Sequence, residues 1–146
     1  MNFRSPSFPA HSRGITLIEL MVVIIVLGIL GSIAVSSYRG YLLRSNRTEA
    51  RIALLRVQAA QEKFFIQNSR YALPAELTPT SGLGVPATTT GGKYTISLLT
   101  PTSTTYTATA VAAGGQTQDD STCHTMTINQ LGARTPTGAT GEKCWR

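Results

Sequence analysis

The chain has little of what most enzymes and metalloproteins are built from. Among its 146 residues there are two cysteines and two histidines. A metal site draws several ligands from Cys, His and carboxylates, more than Cys123 and Cys144 with His124 beside one of them supply, so neither a metal nor a cofactor is expected. No Gly-Lys-Ser/Thr phosphate-binding run and no paired catalytic constellation is present, and Asp119-Asp120 lies in a Gly- and Gln-containing stretch that reads as a loop. These absences argue against an enzyme. Charge is missing too, in one place. Leu20 to Tyr38 is 19 consecutive residues without a charged side chain, and no acidic residue occurs between Glu19 and Glu49.

What is present divides the chain in two. As a helix rising about 1.5 Å per residue, Leu20 to Tyr38 would extend roughly 28 Å, close to the hydrocarbon thickness of a bilayer. The last part is of another kind: Thr78 to Arg146 holds 19 threonines among 69 residues, and reads as a water-facing region rich in strand formers. Basic residues flank the apolar run on both sides, Arg4 and Arg13 before it and Arg39, Arg44 and Arg47 after it. The positive-inside rule therefore orients it weakly.

The run is preceded by Arg13-Gly14 and then Ile15-Thr16-Leu17-Ile18-Glu19. A secretory signal would place its small-residue cleavage site after the apolar core; here Gly14 comes before it, so cleavage there leaves the apolar segment at the mature N-terminus. This pattern resembles the type IV pilin-like family. The resemblance implies a dedicated prepilin peptidase that cuts between Gly14 and Ile15 and methylates the new terminal amine, with Ile15 where the family usually has Phe. It also assigns a purpose to Glu19. A carboxylate in an apolar setting is costly and tends to have a partner; in a bundle of parallel helices Glu19 would meet the free amine of another subunit's Ile15 and set the register.

The helical pattern continues past the apolar run. Leu43, Ala50, Ala53, Leu54, Val57, Ala60, Gln61 and Phe64 recur at mostly three- and four-residue spacing, while Arg47, Arg51, Glu62 and Lys63 can face elsewhere. One helix from Ile15 to about Asn68 is expected, with Gly28, Gly31 and Gly40 as weak points. Residues 72–92, rich in Pro, Gly, Ser and Thr, read as a surface connection. Alternating runs then mark strands at 93–98, 105–111 and 124–129. The boundaries expected are thus a leader, 1–14; an apolar membrane and filament-core helix, 15–38; its amphipathic continuation, 39–71; a loop, 72–92; and a sheet with a tail, 93–146. The fold class is α+β, the pilin fold, a long N-terminal helix packed against a three- or four-stranded antiparallel sheet.

Cys123 and Cys144 are expected to form a disulfide outside the cytoplasm, pinning an irregular tail, 132–146, to the last clear strand. Cys123 before a strand, Gly132 in a turn and Cys144-Trp145 at the end resemble the disulfide-bounded region of PilE-like minor pilins.

The function expected is a structural subunit of a type IV pilus, a minor pilin, held first in the cytoplasmic membrane with its head outside and then incorporated into an extracellular filament. Its partners would be other pilin subunits, the prepilin peptidase, the pilus assembly machinery and the cytoplasmic membrane. Two other readings remain open: a type II secretion pseudopilin, and a pilin-like subunit for DNA uptake or adhesion. Removing residues 1–14 leaves 11 Lys and Arg against 7 Asp and Glu, a net +4 that could attract DNA. The positive charges of Lys93, Arg134, Lys143 and Arg146 nonetheless form no dense run, and net charge serves solubility as readily as nucleic-acid recognition.

Overall fold

The computed structural model describes residues 14–99 and 102–146; apart from Gly14, the expected leader lies outside them. The chain divides at Tyr38/Arg39 into two compact units. Helix α1, Leu17–Asn68, runs unbroken from one into the other. Within the first unit every described side chain is exposed, including the apolar ones from Ile15 to Tyr38. So much apolar surface is stable in lipid or against other apolar helices, but not in water.

The second unit is a helix-on-sheet head. Its part of α1 turns Ala50, Leu54, Val57, Gln61 and Phe64 inward, the i, i+3, i+4 stripe that a half-buried helix requires. The helix stops where Ser69 enters the left-handed region at φ 55° and the Asn68 amide turns back to donate to the Phe64 carbonyl at 3.0 Å. The sheet follows the chain, β1 (Tyr94–Leu99), β2 (Thr107–Ala112), β3 (Thr125–Asn129) and β4 (Arg134–Thr135), in the spatial order β1-β2-β3-β4 with every pairing antiparallel. Tyr94, Ile96 and Leu98 pair across with Ala112, Ala110 and Ala108, and Ala110 and Ala108 pair in turn with Met126 and Ile128. These form the face that joins Leu54 and Val57 in one core. The small alanines of β2 leave room on that face for the larger side chains beside them.

Three elements differ from what the sequence suggested. The connection 72–92 is not purely surface: it contains a 3₁₀ turn at Pro74–Glu76, and Ala72, Leu77 and Val85 enter the core. Its start is tied to α1 by the buried Gln61, which donates to the Ala72 carbonyl at 3.2 Å and accepts from the Ala72 N–H at 2.8 Å. Its end covers the free edge of β1, where the Ile96 N–H donates to the Ala87 carbonyl at 2.7 Å and the Thr89 N–H to the Tyr94 carbonyl at 3.0 Å. The tail is likewise ordered, into β4 and a helix, α3, Gly138–Trp145. Asp119 belongs to a one-turn helix, α2 (Gln116–Asp119), instead of a loop.

Candidate functional site

At the start of α1, Ile15 is exposed and precedes the helix, and Thr16 caps it: the Thr16 hydroxyl accepts the Glu19 N–H at 3.3 Å. Thr16 is thus the N-cap and Glu19 the third helical residue, where a carboxylate is favoured by the unpaired amides and the positive end of the helix dipole. Glu19 therefore has a local role that the sequence reading did not include, and its side chain is exposed. From here α1 carries an apolar stretch long enough to cross a bilayer.

At the other end of the chain Cys123 and Cys144 are bonded, 21 residues apart and both fully buried. Closing a loop of that length contributes about 3 kcal/mol in the chain-entropy description. Beside Cys123 lies an ion pair that connects elements distant in sequence. The Arg47 guanidinium, which the spacing left free to face away from the apolar stripe, grips Asp120 with two bonds of 2.7 Å, Nε to Oδ2 and Nη2 to Oδ1. Asp120 also accepts the Cys123 N–H at 3.2 Å and the Gln116 amide at 2.9 Å, and the Tyr94 hydroxyl stands 3.4 Å away. The third Arg47 nitrogen donates to the Lys143 carbonyl at 3.3 Å. One carboxylate thus joins α1, β1, the β2–β3 connection and the disulfide. Burial pushes the Asp120 carboxyl up, but the hydrogen bonds and charge of Arg47, with the Cys123 N–H and Gln116, outweigh it and hold the group below the usual Asp range. Arg47 is raised in return, chiefly by its bond to Asp120.

A second pair, Arg70 to Glu76 with two bonds of 2.8 Å, braces the 3₁₀ turn. The Arg70 bond, helped by the Leu73 N–H, holds the Glu76 carboxyl down at about 2. Both partners are partly exposed.

The remaining positive charges of the head are spread over its surface. Residues 39–146 hold 11 Lys and Arg against 6 Asp and Glu. Arg47, Arg70 and Arg146 have carboxylate partners; Lys93, Arg134 and Lys143 are exposed and, among the described residues, have none. His124 immediately precedes β3, partly exposed, with Thr125 Oγ1 at 3.2 Å from its Nδ1. No group of three or more His, Cys, Asp and Glu that could hold a metal occurs among the described residues.

A long apolar-started helix, a four-stranded antiparallel sheet laid on its second half and a disulfide-closed tail constitute the pilin fold. The model of the family described as type IV minor pilin ComP, DNA uptake sequence receptor, matches residues 36–127, and that of the prokaryotic N-terminal methylation motif matches residues 9–35. The chain belongs to this minor pilin family. It is similar to the type IV major pilin protein PilA of Myxococcus xanthus (strain DK1622), 39% identical over 69 residues, which are 47% of this chain and 31% of that one. It is 30% identical over 82 residues to the type IV major pilin protein PilE1 of Neisseria gonorrhoeae (56% of this chain, 48% of the relative), and 36% identical over 61 residues to the type II secretion system core protein G of Klebsiella pneumoniae (42% and 44%). The matches thus span between 31% and 48% of these relatives' lengths. Among solved structures, a type IV pilin from Shewanella oneidensis matches with a TM-score of 0.49 at 19% identity, over 71% of this chain and 98% of that one.

Proposed function

We propose that the protein is a minor subunit of a type IV pilus whose exposed head binds duplex DNA. The precursor sits in the cytoplasmic membrane through the apolar part of α1, with its head outside. A prepilin peptidase cuts after Gly14 and methylates Ile15. The apolar helix then leaves lipid for the bundle of like helices in a filament, a transfer between two apolar surroundings in which Glu19 selects register by pairing with a neighbour's terminal amine. The protein performs no catalysis; cleavage and the force for assembly come from other proteins.

The observation that carries the DNA part is the match of residues 36–127, which takes in the head as far as β3, to a family described as DNA uptake sequence receptors. The excess of five positive charges over residues 39–146 supports it, since affinity for duplex DNA rests largely on neutralised phosphates. This raises DNA from an open alternative of the sequence reading to part of the main proposal. A secretion pseudopilin is the second reading, favoured by the similarity to core protein G. Two measurements decide. Sheared, purified pili should contain the mature protein, and the detergent-solubilised mature protein should bind labelled duplex DNA with an affinity that falls steeply with salt. A protein absent from pili and present instead with secretion components would overturn the first half; failure to bind duplex DNA at low salt would overturn the second.

A further inference from the structure

The tail holds one cation in a way that the rest of the head does not explain. Arg134 opens β4, and its guanidinium carbon stands 5.1 Å over the centre of the Trp145 ring. The indole under it is fixed at three points. Its N–H donates to the Thr135 carbonyl at 3.0 Å, its body packs against the core, and its neighbour Cys144 is held by the disulfide. The pair is therefore a planar cation resting on an aromatic plate held by the core, the Thr135 carbonyl and the disulfide. Arg134 remains exposed, and among the described residues its guanidinium makes neither an ion pair nor a hydrogen bond. Stacking orders the group without consuming its N–H donors. An ordered, exposed guanidinium with every donor free is suited to an anion presented in a plane.

What surrounds it narrows the ligand. A shallow surface cavity of about 340 Å³ lies alongside, lined by Arg134, Pro136, Thr137, Glu142, Trp145 and Arg146 among others. Arg146 adds a second cation, engaged with Glu142 at 3.4 Å through exposed side chains that a stronger anion can separate. Thr137 adds a hydroxyl donor. Two guanidiniums and a hydroxyl around an open, shallow hollow fit a phosphodiester on a continuous backbone better than an enclosed small molecule. Glu142 opposes such a ligand and sets a limit on affinity.

We infer that Arg134, seated on Trp145, is a backbone phosphate contact for DNA, with Arg146 and Thr137 beside it. The inference rests on the DNA-binding reading above and adds where the strand is held: on the disulfide-closed tail, beyond the residues matched by the receptor family.

Trp145 is the only tryptophan of the chain, which gives the site its own signal. The full mature protein in detergent micelles is titrated with a short fluorescently labelled duplex, following both the anisotropy of the label and the emission of Trp145. Binding should change both signals with the same midpoint. Arg134→Ala should weaken binding several-fold for all sequences and lower the slope of log K against log salt by about 0.9, the share of one phosphate contact. Arg134→Lys, which keeps the charge and loses the planar stack, should recover that slope and part of the affinity, and Glu142→Gln should tighten binding. Near-identical thermal midpoints for Arg134→Lys and the parent protein identify these effects as local. DNA bound with unchanged Trp145 emission and an unchanged slope in Arg134→Ala overturns this placement while leaving the DNA-binding reading intact. No binding by either signal overturns both. A Trp145 response to phosphatidylglycerol vesicles but not to duplex DNA overturns the assignment to DNA in favour of a lipid headgroup.

Discussion

Replacing Asp120 with Asn tests the strongest energetic consequence of the structure. The carboxylate is inaccessible to solvent and receives two bonds from Arg47, one from the Cys123 N–H and one from Gln116. Asn keeps the shape but removes the charge, and its amide N–H₂ would point a donor at one of these donors. Arg47, whose side chain is 17% exposed, would then be a largely buried cation without its counterion. Breaking one side of such a pair costs about 3–5 kcal/mol. For a head of this size, at about 4 °C per kcal/mol, that is a fall of roughly 12–20 °C in thermal midpoint. The assay is thermal and denaturant unfolding of the oxidised protein, followed by far-ultraviolet circular dichroism. The double variant Arg47→Met with Asp120→Leu replaces both charges by apolar groups and should recover part of the loss, because neither ion is then left unpaired, although the Cys123 N–H and the Gln116 amide lose their acceptor. If Asp120→Asn costs less than about 1 kcal/mol, the value of an ordinary surface pair, the argument that this carboxylate organises the head is refuted.

Further expectations concern processing, the disulfide and acid. Intact mass and N-terminal peptide analysis of membrane-derived protein should show a mature chain beginning at N-methylated Ile15, and Gly14→Ala should block cleavage far more than Ile15→Phe; a chain that begins beyond the apolar run would contradict this. Cys144→Ser should raise amide exchange over residues 130–146 and cost about 3 kcal/mol, with residues 50–64 of α1 still protected; uniform loss of protection would show that the tail is not a separable element. Asp120 and Glu76 are both depressed in the folded head. Their stabilisation is therefore present above the unfolded carboxylate range and lost as pH falls through the folded values, about 2 for Glu76. Stability should be flat from pH 7 to about 5 and decline below about pH 4, with a smaller decline in the Arg47→Met, Asp120→Leu variant. An identical decline in that variant would place the acid sensitivity elsewhere.

The parts of the fold legible in sequence were those with a repeating apolar pattern. The 50-54-57-61-64 stripe marked the buried face of α1 and its end near Asn68, and the alternation in β1, β2 and β3 placed each strand to within a residue or two. Segments whose order comes from contacts distant in sequence were not legible. β4 is two residues long, and α3 is written GATGEKCW, a composition that opposes a helix by propensity; the disulfide and the bond from Trp145 to Thr135 hold it instead. The 72–92 connection looked polar because Leu77 and Val85 are isolated among Pro, Thr and Gly. The pairing of Arg47 with Asp120 was not legible for a related reason. On a helix surface an arginine ordinarily faces water, and its carboxylate partner is 73 residues away. The prepilin-type start was readable because it depends on local residues in order. The Thr16 cap was overlooked despite a Thr-x-x-Glu spacing that signals it.

The central claim is that α1 assembles this subunit into a filament with Glu19 paired to a neighbour's terminal amine. Because Glu19 also occupies the third position of the helix beside the Thr16 cap, its two roles need separating. Thr16→Ala weakens the cap and leaves the charge. Glu19→Gln keeps a polar side chain at the helix start and removes the charge, leaving a partner's ammonium unpaired in an apolar bundle, a loss of several kcal/mol. The decisive measurement is the amount of this protein in sheared, purified filaments relative to that in membranes, for the parent chain, Glu19→Gln and Thr16→Ala, each normalised to total filament yield. The account predicts that Glu19→Gln inserts and is cleaved normally while its ratio falls at least about tenfold, equivalent to 1.4 kcal/mol, and that Thr16→Ala stays within about twofold of the parent. An unchanged ratio for Glu19→Gln would contradict it.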